Sequence, residues 1–460
     1  MRAVEGTRRT ATAARGLVLL CALGCGIGLA SCGGAEPRQS VTVLGPWTGE
    51  EERGFLAMIE GFERETGISV SYIGTRDAGA VLASELKEGD PPELAVLATP
   101  GELRQYAAAG TLVSLDDALD RARMAAEYAP GWRDLMQANG QPDQANGQSG
   151  GRHYYAVIVK AALKSAIWYD PKNLPPAARA ELTSPNLTWR RLRALTAALA
   201  ASGTPPWCIG MEDTSNSGWS GSDWVEDILL HQAGPRVYDR WVAGTLPWTS
   251  TPVRRAWQTF GTVIGPPGRV RGGVRAMLST NFGRAGQPMF TTPPGCFLEH
   301  QGSFITGFYA QDELPSTAPG AHPQPGTDFN FVPFPRIAAA HEDSKEVAGD
   351  LLGMFRDTPA ARKLIAYIAT PAAQAAWVKR PGSSAISANR RVPPGDYPDP
   401  VSRGLAQTLT ASGEVRFDAS DSMPGVMATA FKRAVLGYIS NPARLDVLLR
   451  QLDKVRGAAY

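Results

Sequence analysis

From residue 41 onward, short apolar runs alternate with longer segments of helical periodicity. Residues 41–44 form the first apolar run, and Gly45-Pro46 ends it, which is typical of a short strand. Residues 50–66 come next, and their apolar side chains recur at the spacing of one helix face, at Phe55, Met58, Ile59 and Phe62. This order predicts a strand and then an amphipathic helix that ends at Gly67.

The same order repeats immediately afterwards. Residues 68–73 alternate as a second strand, and residues 93–97 form a buried strand after Pro91-Pro92. Residues 102–109 have the pattern of a helix that ends at Gly110. Strands that alternate with helices at this spacing predict an open α/β sheet whose strands are mostly parallel.

Later segments extend the pattern to the C-terminus. Strands are predicted at 155–168 and 329–334, and residues 347–355 are a further apolar run. Helices are predicted at 189–201, 223–232, 252–264, 270–281, 359–368, 371–377 and, in two pieces, 423–452. The fold class that these elements favour is α/β throughout.

Length and composition limit the class of protein. The chain has 460 residues, roughly three times the 150-residue prior for one domain, which favours two domains or one two-lobed unit. Hydrophobic residues make up 43% and charged residues 20%, which excludes a disordered chain and a polytopic membrane protein. The formal net charge of +2 gives no basic excess, so we expect no nucleic-acid partner. The Cys and His spacing suggests no zinc site, and we expect no metal or cofactor.

Residues 1–31 have the layout of a bacterial secretory signal. Four Arg residues accompany an uncharged, mostly apolar run at 16–30, which is too short to span a bilayer comfortably. The run leads into Leu29-Ala30-Ser31-Cys32, which resembles the lipobox of bacterial lipoproteins. The resemblance implies cleavage after residue 31 and lipidation of Cys32, with residues 32–40 as a linker. The alternative is a plain secretory peptide with an incidental Cys.

Removal of the signal changes the charge balance. Residues 1–31 hold four Arg and one Glu, so the net charge falls from +2 to −1. We therefore expect a nearly neutral protein that a lipid anchor holds at the outer face of the cell membrane.

Two Cys residues remain when the signal and Cys32 are set aside. Cys208 and Cys296 would lie in an oxidising compartment, where they most simply form a disulfide. The bond would close a loop of 88 residues and contribute about 4 kcal/mol in the chain-entropy model. The alternative is two free buried thiols.

Several segments, in a fixed order, carry the motifs of a known family. They are 41–73 with Phe62-Glu-Arg-Glu-Thr-Gly67, 90–101 with Asp90-Pro-Pro-Glu-Leu-Ala-Val-Leu97, 166–189 with Ala166-Ile-Trp-Tyr-Asp170 and Thr188-Trp189, and 365–389 with Lys379-Arg380-Pro381-Gly382. Together they resemble the extracellular solute-binding proteins of bacterial ABC importers, of the large carbohydrate-binding type that includes the maltose-binding and alpha-glucoside-binding proteins. The segments 206–208 and 294–301 look closer to the alpha-glucoside branch. The resemblance covers nearly the whole chain after the signal.

The resemblance implies a two-lobed, type II periplasmic-binding-protein-like fold. Each lobe would be an α/β sheet flanked by helices, with the ligand cleft between the lobes. The first lobe would comprise residues 41–156 and 337–386, and the second would comprise residues 157–336 and 387–460.

Sugar-binding sites need a particular combination of side chains. A sugar ring has apolar C–H faces and a rim of hydroxyls, so its site combines flat aromatic surfaces with planar polar groups. Such groups converge where parallel strands end. Trp47, Thr48, Glu50 and Glu51 follow the first strand, and Thr99 follows the third, so we expect them to contact ligand. The alternatives are Trp47 at a lobe edge, the two Glu residues in a solvated first turn, and Thr99 as a helix cap.

A second set of candidates follows residue 200. Trp219-Ser-Gly-Ser-Asp223-Trp224 is the densest aromatic and polar cluster of the chain. One of Trp219 and Trp224 is expected to stack on the ligand and the other to pack in the core, while Asp223 accepts a sugar hydroxyl. By the resemblance, Phe304 would be a stacking platform and Gln301 a polar contact.

Three further candidates lie near the predicted crossovers between the lobes. Lys164 precedes the strand at the first crossover, and Arg380 and Ser383 lie near the last. We expect them to reach the cleft mouth.

The leading hypothesis is therefore a binding protein without enzymatic activity. It would capture a sugar, such as an alpha-glucoside oligosaccharide, and deliver it as a monomer to the transmembrane subunits of a permease. One alternative is a receptor for a polyol, an amino-sugar or a peptide. Another is a secreted glycosidase with Glu50 and Asp223 as its paired carboxylates, which no other motif supports.

Overall fold

The computed structural model describes residues 39–140, 151–311, 322–412 and 414–460. The predicted signal at 1–31, the proposed lipidation site Cys32 and most of the predicted linker lie outside these ranges. Within them, no helix has both the length and the apolar composition that a membrane span requires.

The strands are mostly short. They are β1 Ser40–Gly45, β2 Ser69–Gly74, β3 Leu94–Leu97, β4 Gln137–Asn139, β5 Arg152–Tyr154, β6 Ala156–Leu163, β7 Ala166–Tyr169, β8 Leu298–His300, β9 Asn330–Pro333, β10 Ser344–Met354 and β11 Glu414–Phe417.

The α-helices surround these strands. They are α1 Glu50–Thr66, α2 Ala78–Glu88, α3 Pro100–Ala108, α4 Arg121–Glu127, α5 Pro130–Leu135, α6 Pro176–Leu182, α7 Trp189–Ala201, α8 Trp219–Ala233, α9 Pro235–Val242, α10 Thr251–Ile264, α11 Gly273–Ser279, α12 Thr306–Tyr309, α13 Pro359–Ile368, α14 Pro371–Val378, α15 Pro400–Ala411, α16 Ala419–Ser422, α17 Gly425–Ser440 and α18 Leu445–Ala459.

The largest sheet has the order β11-β10-β3-β1-β2, and β6 also pairs with β10. Strand β1 is parallel to β2 and β3, and β10 is parallel to β11. Strand β10 is antiparallel to both β3 and β6. The prediction of a mostly parallel sheet holds for β1, β2 and β3, whereas the sheet as a whole is mixed because the long strand β10 runs against β3 and β6.

A smaller sheet, β8-β7-β9, is antiparallel throughout. Strands β6 and β7 are joined by two residues, so the chain passes directly from the large sheet to the small one. This direct passage places the residues between β6 and β7 at the junction of the two sheets.

Two hydrophobic cores fill the protein. The first contains side chains of β1, α1, β3, β6, β10, α13 and α15. The second contains side chains of α7, α8, α10, α17 and α18, and it holds the tryptophans Trp207, Trp224, Trp241, Trp248 and Trp257. The high tryptophan content of the chain therefore serves mainly the second core.

Helix α1 shows how closely local pattern determines an element. It spans Glu50–Thr66, as predicted, and buries the apolar face formed by Phe55, Met58, Ile59 and Phe62. Gly67 ends it with a φ of 68°, a left-handed conformation that glycine adopts without steric penalty. Helix α8 begins four residues before its predicted start, because Gly218 at φ 102° allows the chain to enter the helix at Trp219.

The disulfide prediction is confirmed. Cys208 and Cys296 are bonded, and their Cα atoms are 5.6 Å apart. The backbone N–H of Cys208 also donates to the carbonyl of Leu298, at 2.8 Å. The covalent link and this hydrogen bond join the segment after α7 to strand β8.

Candidate ligand-binding site

A cavity of about 870 Å³ opens beside the junction of the two sheets. This volume is within the range of small-molecule sites. Its walls include nine of the thirteen predicted contact residues: Thr48, Glu50, Glu51, Thr99, Lys164, Trp219, Phe304, Arg380 and Ser383. The other four, Trp47, Asp223, Trp224 and Gln301, are buried and do not line it. Nine of the predicted residues therefore line one cavity and four lie behind its surface, and contact of any of them with a ligand stays a prediction.

Four aromatic rings, here called the aromatic wall, form one side of the cavity: Trp219, Phe282, Phe304 and Phe308. The ring centroid of Trp219 lies 4.8 Å from that of Phe282 and 5.8 Å from that of Phe304. Phe282 and Phe308 are 5.1 Å apart. The rings are therefore in continuous contact and offer an extended apolar surface.

The position of Trp219 depends on its neighbours. A Cβ atom at Gly218 would lie 2.5 Å from the carbonyl oxygen of Lys432, so residue 218 must be glycine for the chain to pass. The indole Nε1–H of Trp219 donates to the carboxylate of Asp213 at 2.9 Å, which fixes the orientation of the ring.

Lys164 forms part of the cavity floor, next to the aromatic wall. Its ammonium lies 2.7 Å from a carboxylate oxygen of Asp223 and 2.9 Å from one of Asp418. It also lies 4.7 Å from the ring centroid of Trp219 and 5.6 Å from that of Phe304. Burial opposes the charged form of Lys164, but the two carboxylates outweigh burial and raise its pKa well above the usual value.

Beneath Lys164 lies a set of carboxyl groups, here called the buried acidic cluster: Asp223, Glu226, Glu346 and Asp418. Burial raises the pKa of Asp223, Glu226 and Glu346 well above the ordinary values. Burial also opposes ionisation of Asp418, but Lys164 and the hydroxyl of Ser420 outweigh it and lower its pKa. Lys164 and Asp418 therefore stabilise each other's charge, while burial disfavours the ionised form of the other three carboxyls.

The carboxyl groups of the buried acidic cluster are arranged like the ligands of a metal ion, but the cluster already contains a cation. Ligand atoms of Asp223, Glu226 and Asp418 lie within 4.8 Å of one another. The ammonium of Lys164 is in contact with Asp223 and Asp418. The protein itself thus supplies the positive charge that these carboxylates need.

A set of paired charges, here called the charged wall, also lines the cavity: Glu51, Arg76, Lys160 and Asp350. Lys160 forms a hydrogen-bonded ion pair with Glu51 and lies 4.0 Å from Asp350, while Arg76 lies 3.0 Å from Glu51. Burial opposes the charge on Glu51, but Lys160 and Arg76 outweigh it and lower its pKa. Burial raises the pKa of Asp350, against the effect of Lys160. The charges of this wall are largely satisfied by one another.

Trp47 packs in the first core behind the charged wall and does not face the cavity. It is 1% exposed, and its ring centroid lies 5.0 Å from that of Phe55 and 4.9 Å from that of Trp377. Its indole N–H donates to Asp350 at 2.9 Å. Trp47 therefore positions a cavity carboxylate from behind, which the expectation of an exposed ring did not foresee.

Trp224 and Gln301 belong to the second core and its edge. The ring centroid of Trp224 lies 4.4 Å from that of His300 and 5.0 Å from that of Trp207. The side-chain oxygen of Gln301 accepts from the backbone N–H of Gly302 at 2.9 Å, so the amide is used locally. Of the two predicted stacking tryptophans, Trp219 lines the cavity and Trp224 is the core residue.

The remaining predicted residues lie at the cavity edge. The hydroxyl of Thr99 caps α3 by accepting from the N–H of Glu102 at 3.0 Å, so this residue both caps a helix and lines the cavity. Glu50 is paired with Arg53, and Arg380 lies 3.7 Å from Glu50. Since Glu50 lies at this edge and Asp223 lies beneath the floor, the two carboxylates do not face each other across the cavity as a glycosidase pair would.

Several lining residues were missed by the sequence interpretation: Arg76, Lys160, Asp213, Phe282, Phe308, Asp350, Trp377, Asp418, Asp421 and Lys432. Two signals could have found some of them. Asp418 and Asp421 directly follow strand β11, where functional groups gather. Phe308 lies four residues after Phe304, which is the spacing of one helix face.

Comparison with known proteins identifies the family. Residues 46–375 match the family of bacterial extracellular solute-binding proteins, so the chain belongs to that family. The osmoprotective compounds-binding protein GgtB of Synechocystis sp. is 34% identical over 418 residues, which cover 90% of this chain and 92% of GgtB. The alpha-glucosides-binding periplasmic protein AglE of Rhizobium meliloti is 32% identical over 414 residues, which cover 89% of this chain and 85% of AglE.

The fold agrees with this assignment. The structure is similar to that of the bacterial solute receptor AcbH, with a TM-score of 0.70 and 16% identity, covering 91% of this chain and 99% of AcbH. AcbH is described as having an exclusive preference for β-D-galactopyranose. The predicted two-lobed, type II periplasmic-binding fold is thereby confirmed, and the chain is the solute-binding component of an ABC importer.

Proposed function

We propose that this protein is a lipid-anchored sugar receptor, and that its ligand is an uncharged sugar of the alpha-glucoside class, of one or more rings. One observation carries the proposal. The same cavity has an aromatic wall, which suits the apolar face of a sugar ring, and a charged wall whose groups are already paired.

The paired charges favour a neutral ligand over an ionic one. An ionic ligand would find no unpaired opposite charge in the charged wall, because Glu51, Lys160 and Asp350 largely neutralise one another. The donor and acceptor atoms of these side chains are fixed in place and still hydrogen-bond to sugar hydroxyls. Because the ion pairs hold these groups in place, little ordering is needed when a sugar binds.

The relatives support a sugar and leave its identity open. AglE is named for alpha-glucosides, and the alignment spans most of both chains. GgtB is named for osmoprotective compounds, which makes small osmoprotective solutes the second candidate class. A polyol or an amino-sugar as the ligand would be detected by the same binding screen that is described below for sugars.

The roles of the lining residues follow from their positions. Trp219 and Phe304 stack on one sugar ring, and Phe282 and Phe308 extend the surface toward a second. Polar contacts come from Thr48, Glu50, Glu51, Thr99, Lys164, Arg380 and Ser383. The buried residues Trp47, Asp223, Trp224 and Gln301 hold the lining groups in place from behind.

Capture is proposed to close two lobes around the sugar. The predicted division placed residues 41–156 and 337–386 in the first lobe. Since β6 and β11 belong to the same sheet as β1, β2 and β3, we extend the first lobe to residue 163 and to residue 417. The second lobe then comprises 164–336 and 418–460. Ligand binding shifts the population from open to closed by contacting both lobes.

The protein is proposed to act at the outer face of the cell membrane as a monomer. The support is the lipobox-like Leu29-Ala30-Ser31-Cys32 behind an apolar run. Cleavage before Cys32 and lipidation of that residue would tether the receptor near its permease.

A thermal-shift screen tests the function. The purified protein is mixed with mono- to tetrasaccharides of varied linkage and with small osmoprotective solutes. A ligand at ~100 times its dissociation constant should add roughly 2.7 kcal/mol of stability and raise the melting temperature. The Trp219→Ala variant should lose the shift. A matched control, Tyr367→Ala, removes a half-buried ring that packs on Phe62 away from the cavity and should keep it. No shift with any sugar, from a folded protein, would contradict the proposal.

A further inference from the structure

We propose that Asp421 is a specificity-determining residue of the cavity and that its carboxylate accepts hydrogen bonds from two adjacent hydroxyls of the captured sugar. This inference rests on the proposed function and assigns a role that the sequence interpretation did not give to this residue. Asp421 lies in the short helix α16, immediately after strand β11, and lines the cavity. Its backbone N–H donates to Asp418 at 3.0 Å, which fixes the turn that carries it.

Among the described residues, the carboxylate of Asp421 has no protein partner. Six acidic side chains of the described part of the chain line the cavity. Five of them already have a hydrogen bond or an ion pair with another side chain: Glu50, Glu51, Asp213, Asp350 and Asp418. Asp421 is the sixth, and the described parts of the chain offer its carboxylate neither a hydrogen bond nor an ion pair. Apart from water, a ligand that enters the cavity is therefore the source of donors for this carboxylate.

Charged groups from several elements face Asp421. Asp418 lies on the same turn, Glu102 comes from α3, Lys164 comes from the floor and Lys432 comes from α17. Burial and Asp418 raise the pKa of Asp421 to about 7, against the effect of the two lysines. The ionised carboxylate of Asp421 thus lies in a site that disfavours its charge. Hydroxyl groups that donate hydrogen bonds to it therefore have a large effect on the affinity for the ligand.

The carboxylate of Asp421 matches the hydroxyl rim of a sugar ring. A carboxylate has two oxygens that accept side by side, and adjacent ring hydroxyls present two donors at a similar spacing. A ring whose face stacks on the aromatic wall directs its hydroxyl rim away from that wall. The charged wall and the floor, including Asp421, then receive those hydroxyls.

The proposal has a measurable consequence in protons. Because the hydroxyls favour the ionised form, binding should release a proton from the molecules in which Asp421 is protonated. At pH 7, Asp421 is about half protonated in the unliganded protein. Binding should therefore release roughly half a proton per sugar. The affinity should also rise with pH through the region around 7.

Calorimetry in two buffers of different ionisation enthalpy at pH 7 tests the inference. The probes are maltose, sucrose and trehalose, and the proteins are the wild type, Asp421→Asn, Asp421→Ser and the control Asp117→Asn, which changes an exposed carboxyl. The wild type and the control should bind at least one probe with net proton release. Both Asp421 variants should bind at least tenfold more weakly, without that release, while their unliganded melting temperatures equal or exceed that of the wild type.

Two outcomes would overturn the inference while leaving the proposed function intact. One is unchanged affinity in both Asp421 variants. The other is weaker binding with the proton release unchanged, which would make Asp421 a positioning residue. A folded wild-type protein that binds none of the three probes would contradict the alpha-glucoside assignment, and the inference with it.

Discussion

The ammonium of Lys164 lies 2.7 Å from the carboxylate of Asp223, at the point where the chain passes from one sheet to the other. Lys164 lines the cavity, while Asp223 is buried in α8 beneath it. This contact therefore connects the cavity floor to the core of the protein. A change at either residue should affect both stability and binding.

Loss of Lys164 should destabilise the protein strongly. Lys164→Met leaves Asp223 and Asp418 without their cation in a buried site, and breaking such a pair typically costs about 3–5 kcal/mol. Urea unfolding should show this loss. Lys363→Met removes an exposed lysine and should change the free energy of unfolding by less than about 0.5 kcal/mol. Equal effects from the two substitutions would contradict the role given to Lys164.

Phe308 should matter more for long sugars than for short ones. It is 36% exposed at the end of the aromatic wall, in contact with Phe282. Phe308→Ala should lower the affinity for maltotriose by about 2- to 12-fold, the equivalent of one aromatic contact. The affinity for glucose should not change. An equal loss for both sugars would argue against a second ring site at this position.

The disulfide should contribute substantially to stability. Cys208→Ala with Cys296→Ala opens a closed loop of 88 residues and should lower the free energy of unfolding by about 4 kcal/mol. Chemical denaturation of the oxidised protein and of the double variant measures the difference. Each single variant should lose about as much as the double variant, since either one removes the bond. A double variant as stable as the wild type would refute the expectation.

Glu346 should make stability depend on pH. It is fully buried, neither carboxyl oxygen has a hydrogen-bond partner among the described residues, and burial raises its pKa well above 4.5. The folded state therefore binds more protons than the unfolded state, so this group's contribution to stability falls as pH rises above 4.5 toward the raised pKa. Glu346→Gln removes that dependence.

Unfolding at a series of pH values measures the effect. The stability of Glu346→Gln relative to the wild type should increase as pH rises above 4.5, because the unfolded wild type ionises this group while the folded wild type keeps it protonated. The control Glu60→Gln changes an exposed carboxyl and should track the wild type. A constant difference between Glu346→Gln and the wild type would show that Glu346 does not titrate in this way.

The lipid anchor has a separate test. Cys32→Ala should move the protein from the membrane fraction to the soluble fraction of the producing cell, since no lipid can then be attached. Sugar binding by the released protein should be unchanged. Retention of the variant in the membrane fraction would contradict anchoring through Cys32.

Local pattern predicted most of the elements because each depends on neighbouring residues. Helix α1 was placed correctly by its apolar face and its terminal Gly67. The start of α8 was not, because the serine and aspartate at 222 and 223 have the composition of a helix cap although they lie inside the helix. The direction of β10 could not be predicted either, since strand pairing over long separations leaves no local pattern.

The site was predictable in its location and less so in its members. Trp219 and Phe304 follow turns at strand or helix ends, and the structure places both on the cavity. Trp47 also follows a strand end, yet it is buried, because Phe55 and Trp377 from distant parts of the chain cover it. Asp421 was missed because the role proposed for it depends on the lack of a partner among the described residues, which only the three-dimensional arrangement shows.

We expect one sugar to bind between the aromatic wall and the charged wall. Titration calorimetry with maltose, sucrose and trehalose, comparing the wild type with Trp219→Ala and Tyr367→Ala, measures this binding. We expect saturable binding of at least one of these sugars, with one molecule per chain. We also expect at least a tenfold loss of affinity in Trp219→Ala, about 1.4 kcal/mol or more, and none in Tyr367→Ala. Binding that survives in Trp219→Ala, or a folded wild-type protein that binds no sugar, would contradict this expectation.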